Sequence, residues 1–335
     1  MKQVLEKMNC KKHHERPDFL SIIEKELNIV EENLTSRLTL KGGILKEIVN
    51  YIFSAGGKRF RPALCLLIAK ATGSITRKHI ILSELTELIH TASLIHDDII
   101  DSANLRRGKE TINKLWNDKI SVITGDFLFA EASIRLGELE NTEIVKIYAH
   151  VLSSLCDGEI EQYSYKFNTN ISWDYYIRKS TTKTASLFAA CCKASAILNN
   201  QEKEVIEKAE NFGNNLGIAF QIVDDILDFT SNLKELGKET CSDLKQGIIT
   251  APTLFALNSK DERSKQIKNL IESRFENEKD FDKVIRFINE LGSCEKAKQL
   301  ADEYLLKAKE NLTFVKDPLL KNHICQTFEY ILCKL

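Results

Sequence analysis

Asp97, Asp98 and Asp101 repeat in kind as Asp224, Asp225 and Asp228, so one five-residue pattern, D-D-x-x-D, occurs twice in distant parts of a 335-residue chain. Both copies lie among aliphatics, with Leu94, Ile95, Ile99 and Ile100 around the first and Ile222, Val223, Ile226 and Leu227 around the second. On a helix, residues four apart stack on one face, so Asp97 pairs with Asp101 and Asp224 with Asp228. Carboxylates turned toward an apolar interior repel one another and are costly to desolvate unless positive charge sits between them. An all-oxygen donor set suits Mg²⁺, which keeps some of its waters and is completed by substrate phosphates. A single acidic run is ordinarily a solvated helix face. Two matching runs among aliphatics point instead to a cation site.

Basic residues are placed where a phosphate held by such a site needs them. Lys58 and Arg61 follow the Gly56-Gly57 pair, which lets backbone approach a ligand closely. Arg106 and Arg107 come just after the first acidic motif, Lys183 stands in Thr181-Thr182-Lys183-Thr184, and Lys238 follows the second motif. Arg offers phosphate a planar fork and Lys a point charge, so the mixture fits a diphosphate. His90 lies seven residues before Asp97, two helical turns along nearly the same side, and reads as a substrate contact. His96 is off that face and reads as structural. The pair His96-Asp97 also fits an HD-type metal phosphohydrolase, but the further metal-binding histidines of such an enzyme are not evident.

These residues must be positioned by helices. Apolar residues recur with helical spacing almost everywhere. Phe19, Ile23, Leu27, Val30, Leu34 and Leu38 form one stripe, with Asp18 after Pro17 as its N-cap. The stretch from Ile80 to Asp101 predicts a long buried helix carrying the first motif, and Asn211 to Phe229 a second, with Gly213 and Gly217 allowing close packing. No run alternates with period two, so the expected fold is an all-α, single large helical bundle around a central cavity. Residues 54–62 read as a cation-loaded turn or helix mouth, and 230–252 as a polar loop over the site. With 4 Pro and 14 Gly, no stretch resembles an interdomain linker. Residues 18–335 read as one domain after a polar, basic N-terminal arm over 1–17.

The net charge of −1 argues against nucleic acid as a partner. Nine cysteines without metal-type spacing read as reduced core residues of a reducing compartment. No apolar segment is long enough to span a membrane, and residues 1–17 lack the apolar stretch of a secretory signal.

The chain resembles the trans-isoprenyl diphosphate synthases, or polyprenyl synthetases, from about Gly56 to Pro252. The motifs that carry the resemblance are GGKRFRP (56–62), LIHTASLIHDDIIDSANLRRG (88–108), GDFLF (125–129), KTA (183–185), FQIVDDILD (220–228) and GKETCSDLKQG (237–247). The resemblance implies a homodimeric prenyltransferase of the isoprenoid-synthase fold that joins isopentenyl diphosphate to an allylic diphosphate. It implies about three Mg²⁺ ions acting as Lewis acids on the allylic diphosphate, held by Asp97, Asp101, Asp224 and Asp228, with Asp98 and Asp225 completing the catalytic motifs. Arg106, Lys183, Thr184, Gln221 and Lys238 would contact that diphosphate, and Lys58, Arg61, His90 and Arg107 the diphosphate of isopentenyl diphosphate. The family often carries a lysine after the glycine of the polar loop, where this chain has Ile248.

Ala92 and Ser93 lie one turn below the first motif, and small residues there leave room for a long tail, of about C30 to C50, with a quinone side chain as its expected destination. The alternatives are a geranylgeranyl-length product, a non-catalytic subunit of a heteromeric synthase, which would have lost acids or cations, and a terpene cyclase, whose second metal motif usually mixes Asn, Ser, Thr and Glu. The bias toward Lys, Asn and Ile favours a plastid-encoded protein of the stroma over one of the bacterial cytoplasm.

Overall fold

The computed structural model describes residues 18–36, 38, 42–54, 59–106, 108–230 and 241–333. After a 3-10 turn at Asp18–Ile23 the chain forms α1 (Glu24–Ser36), α2 (Ile44–Ser54), α3 (Phe60–Thr72) and the long α4 (Arg77–Ile100). A small antiparallel hairpin follows, β1 (Leu105–Arg106) with β2 (Lys109–Glu110), then the short α5 (Ile112–Leu115). The middle of the chain is α6 (Asp118–Glu138), α7 (Thr142–Ser164) and α8 (Trp173–Ser180). A π-helical turn, Thr181–Ala185, runs from α8 into α9 (Ser186–Leu198), and α10 (Lys203–Thr230) follows. The last third holds α11 (Ser242–Lys245), α12 (Ala251–Leu257), α13 (Arg263–Glu272), α14 (Glu278–Glu290), α15 (Ser293–Glu310) and α16 (Pro318–Leu332).

The all-α expectation therefore holds apart from the hairpin, which turns at Gly108 (φ +76°) in the R-R-G segment. The stripe from Phe19 to Leu38 is buried throughout. It is not one helix, however: Asp18 opens the 3-10 turn itself, and α1 ends at Ser36. The expected arm over 1–17 lies outside the described residues. The polar segment 230–252 is partly ordered into α11 and the start of α12, while 231–240 fall outside the description. No helix among the described residues is long and apolar enough to cross a membrane.

Two helices carry the architecture. The first, α4, starts cleanly because Thr76 and His79 form a reciprocal cap, with the Thr76 amide donating to His79 Nδ1 at 3.0 Å. Leu82, Leu85, Leu88, Ile89 and Ala92 are all buried, as expected of a helix wrapped on several sides. It packs along α6 and against α1, α3 and α9, while α10 packs along α15 and α9. Helix α9 thus joins the two acidic helices into one core.

Contact between α9 and α10 depends on glycine. A Cβ added at Gly213 would overlap the Phe188 carbonyl, and one at Gly217 would stand 2.5 Å from Ala185 Cα. Backbone there cannot give way as a flexible side chain can. Gly217→Ala should destabilise the protein by about 1–3 kcal/mol, whereas Gly137→Ala on α6, where the added methyl meets nothing within 4 Å, should be neutral or mildly stabilising. Urea unfolding of the two variants checks this pair.

Candidate functional site

Both acidic motifs lie at the C-terminal ends of their helices, Asp97 to Asp101 closing α4 and Asp224 to Asp228 closing α10. A helix C-terminus carries partial negative charge, so carboxylates there are disfavoured and cations welcome. Within each motif the three acids are treated differently. Asp98 is buried and receives Arg106 Nε at 2.6 Å. Asp225 is buried and accepts from Tyr176 Oη at 2.6 Å, Gln221 Nε2 at 2.8 Å and the Ala251 amide at 3.0 Å. These two acids anchor the motifs to the rest of the fold. Asp97, Asp101 and Asp228 are half-buried and Asp224 is exposed.

The first motif faces a lysine across the interior. Lys183 reaches Glu159 of α7 at 2.6 Å and also attracts Asp97 and Asp101. Burial alone would lower Lys183, but those three carboxylates together hold it above the ordinary lysine value. Burial pushes Asp97 up to about 6; Lys183 and Arg106 oppose the rise, and Glu159 and Asp101 add to it. In the second motif, burial and the neighbouring Asp243 carry Asp228 up to about 7. This happens although Asp228 accepts from the Ser242 amide and hydroxyl, both at 3.1 Å, and from the Asp243 amide at 3.2 Å. Burial likewise raises Asp225 to about 6 against the pull of Lys179 and Tyr176.

The π turn sets the angle of these cations. One extra residue per turn widens the helix locally, and Thr181–Ala185 packs between α7, α8 and α10. Gly158 admits it, since a Cβ there would meet Thr182 Oγ1 at 2.8 Å. Thr184 Oγ1 donates to Gln221 Oε1 at 2.5 Å, and Gln221 passes its amide on to Asp225. Lys183, Thr184 and Gln221 are therefore brought together as the sequence suggests.

Arg61 and His90 also meet, Nη1 to Nε2 at 3.0 Å, with the guanidinium over the Phe188 ring at 4.6 Å. Lys58, Arg107 and Lys238 lie outside the described residues. His96 turns toward α6, with Nε2 3.2 Å from the Val122 carbonyl and the ring lying where a Cβ of Gly125 would stand. It serves packing, and the HD phosphohydrolase reading loses its histidine. Ala92 is fully buried, and Ser93 is half-buried with its hydroxyl on the His90 carbonyl. Deeper along α4, Thr86 Oγ1 meets Tyr148 Oη of α7 at 2.6 Å, both side chains fully buried.

Glu159, Tyr176, Tyr148 and Lys179 have no place in the sequence motifs, and Asp243, though inside the 237–247 motif, has no role assigned to it there. Gly158 inside a long helix signals a close approach at Glu159, and Lys179 stands four residues before Lys183. Nothing local marks the two tyrosines.

Among the described residues no three Asp, Glu, His or Cys side chains converge into a cage for an ion. The donors nevertheless fit a hard divalent cation: they are carboxylate oxygens, paired within each motif, and in Asp97 and Asp228 burial disfavours the anion. Too few to enclose an ion, they leave coordination positions for phosphate oxygens.

The polyprenyl synthetase family model matches residues 43–288. The chain belongs to that family. As a polyprenyl synthetase it is a prenyltransferase, and its helical architecture is the one expected. It is 44% identical over 290 residues to a prenyl transferase of Cyanophora paradoxa, covering 86% of this chain and 88% of that one. It is 40% identical over 315 residues to the chloroplastic solanesyl diphosphate synthase 2 of Arabidopsis thaliana, covering 91% and 75%. Among solved structures it resembles a polyprenyl synthase from Caulobacter crescentus CB15, complexed with calcium and isoprenyl diphosphate. That match has a TM-score of 0.88 and 30% identity, over 94% of this chain and 96% of that one.

The raised carboxylates give this polyprenyl synthetase a signed pH response. The ordinary value is 3.8, and folding lifts Asp97 to about 6 and Asp228 to about 7. Between those limits the folded state holds more protons than the unfolded chain, so their penalty is absent below pH 3.8, grows through pH 6–7 and is complete above. Asp228→Asn should therefore leave the Tm of metal-free protein nearly unchanged at about pH 4 and raise it by a few degrees at about pH 8. Thermal denaturation with a chelator present reads both.

Proposed function

We infer that this polyprenyl synthetase joins isopentenyl diphosphate to an allylic diphosphate, repeatedly, to make a long-chain trans-polyprenyl diphosphate. The observation that carries the reading is the pair of acid-bearing helix ends on either side of the π turn that presents Lys183. Asp97 and Asp101 on one side, and Asp224 and Asp228 on the other, would hold Mg²⁺ against the allylic diphosphate. When bound, Mg²⁺ supplies Lewis-acid neutralisation of the departing diphosphate.

The chain's own residues do the rest. Lys183 and Arg106 add fixed positive charge where negative charge develops on the leaving group. Thr184 and Gln221, already tied to Asp225, would orient against the same oxygens, and Lys238 would add its charge. Arg61 and His90, with Lys58 and Arg107, would bind the diphosphate of isopentenyl diphosphate, so the two substrates meet end to end. Arg61 is prepared for this role by Phe188 and His90, which fix its fork (4.6 Å and 3.0 Å). The apolar walls of α4 and α9 exclude water that would trap a cationic prenyl group.

A long product accords with the relatives named for solanesyl and other prenyl transfer, and with Ala92 and Ser93 below the first motif. Thr86 lies eleven residues before Asp97, about 16 Å along the helix, where its bond to Tyr148 ties α4 to α7; a tail descending along α4 to that depth would displace this bridge.

The same reading has a second copy of the chain as partner. Ile123 and Ile134 on α6 and Val145, Ile160 and Tyr163 on α7 are exposed, apolar and clustered by helical spacing. It also has a plastid stroma as location, supported by the chloroplastic relative, and residues 18–335 as one helical unit.

Incubation with labelled isopentenyl diphosphate, Mg²⁺ and primers of several lengths tests the activity directly; absence of any elongated product refutes it. Asp97→Ala and Asp228→Ala should each lower kcat by about 100-fold or more while the fold, followed by circular dichroism, is kept. Chain length has its own test. Ala92→Phe should shorten the product and Tyr148→Ala should lengthen it, as read by chromatography of the dephosphorylated alcohols. An unshortened product from Ala92→Phe would mean that the tail does not pass this residue.

A further inference from the structure

Lys179, on the last turn of α8, is 7% exposed and belongs to none of the roles above. A buried ammonium is costly unless paired, and its surroundings show what pairs it. Its Nζ donates to the Ile249 carbonyl at 3.5 Å and lies 5.6 Å from the centre of the Tyr176 ring. Burial draws its pKa below the ordinary lysine value, while Asp225 and Asp243 pull it back and Lys183 repels it. Beneath it, between Gln162, Tyr175, Ile171 and Ile248, is a cavity of about 10 Å³, scarcely room for one water.

The arrangement is directional. Lys179 and Lys183 are four residues apart, and the π turn sends them to different partners. Lys183 faces Glu159 and the α4 acids; Lys179 faces Asp225, Asp243 and the backbone of the segment entering α12. That segment brings no charge of its own, since Ile248 and Ile249 are apolar and buried. Tyr176 Oη and the Ala251 amide hold Asp225 from the same side, so Asp225, Tyr176, Lys179 and residues 249–251 form one block.

We propose that Lys179 is a positioning residue that supplies the second acidic motif with an internal cation. It offsets Asp225 and Asp243 from within and clamps the 249–251 segment, so that Asp224 and Asp228 present a preset pair of carboxylates to the divalent cation. The inference rests on the functional reading above. It locates the charge that lets two adjacent acids and Asp243 share one helix end without separating the elements that carry them.

The test compares Lys179→Met, which removes the charge at similar volume, with Lys179→Arg, which keeps it. In Lys179→Met the Mg²⁺ concentration for half-maximal activity should rise about tenfold, the effect typical of groups that orient metal-binding side chains. Its kcat should fall, and its KM for isopentenyl diphosphate should stay unchanged, because Arg61 and His90 are carried by α3 and α4. Lys179→Arg should recover most of the Mg²⁺ response. A merely structural lysine would lower Tm and leave the Mg²⁺ requirement where it was. If Lys179→Met does not fold, Lys179→Gln serves, since it is neutral and still able to donate to Ile249. An unchanged Mg²⁺ requirement in the neutral variant, or no recovery with arginine, overturns the proposal. Calorimetric titration of Mg²⁺ in the presence of inorganic diphosphate gives the same comparison without turnover. A wild-type chain that binds normally yet makes no product would then sink the functional reading and leave Lys179 to be judged by its own result.

Discussion

Carboxylates crowded at the negative ends of two packed helices are the constraint around which this molecule is arranged. Both α4 and α10 are wrapped by apolar neighbours and end in three aspartates each, where dipole and burial alike oppose negative charge. The fold relieves part of that cost internally. Arg106 closes on Asp98, and Tyr176, Gln221 and the Ala251 amide close on Asp225. Two of the remaining acids are left under electrostatic tension, visible in Asp97 near 6 and Asp228 near 7. A divalent cation bound between them would relieve that tension.

Division of labour within a motif follows from helix geometry. In D-D-x-x-D the first and last residues share a face and the middle one lies about a quarter-turn away. The middle acid therefore points into the packing and becomes buried, while the outer two stay more accessible. Asp98 and Asp225 obey this rule independently, with different partners, which makes it a property of the spacing rather than of either environment.

The π turn between α8 and α9 is the other decisive element. It turns Lys183 toward Glu159 and the α4 acids and Thr184 toward Gln221 while the helix continues into the α9–α10 contact. That contact in turn needs Gly213 and Gly217, because backbone meets backbone there. Packing in the core and aim at the site are thus coupled through a few residues.

Much of this is written in local chemistry. Period and composition suffice for an all-helical chain, for α4 and α10 as buried helices, and for two acid pairs on helix faces, because helical spacing and apolar context act over a few residues. Basic residues near those motifs were legible for the same reason, as were the glycines of the close contact. Other features depend on residues far apart in the chain. Only the tertiary structure decides that Arg106 belongs to Asp98, that Glu159 and Asp243 join the acids, that Tyr148 meets Thr86, and that Lys179 is buried against the second motif. The small hairpin at Gly108 and the change from 3-10 to α winding between Ile23 and Glu24 also escaped the pattern, since each turns on local winding that periodicity does not encode. Sequence determines which groups line a helix face; packing determines which charges those faces meet, and in a low-dielectric interior it is the meeting that sets the chemistry.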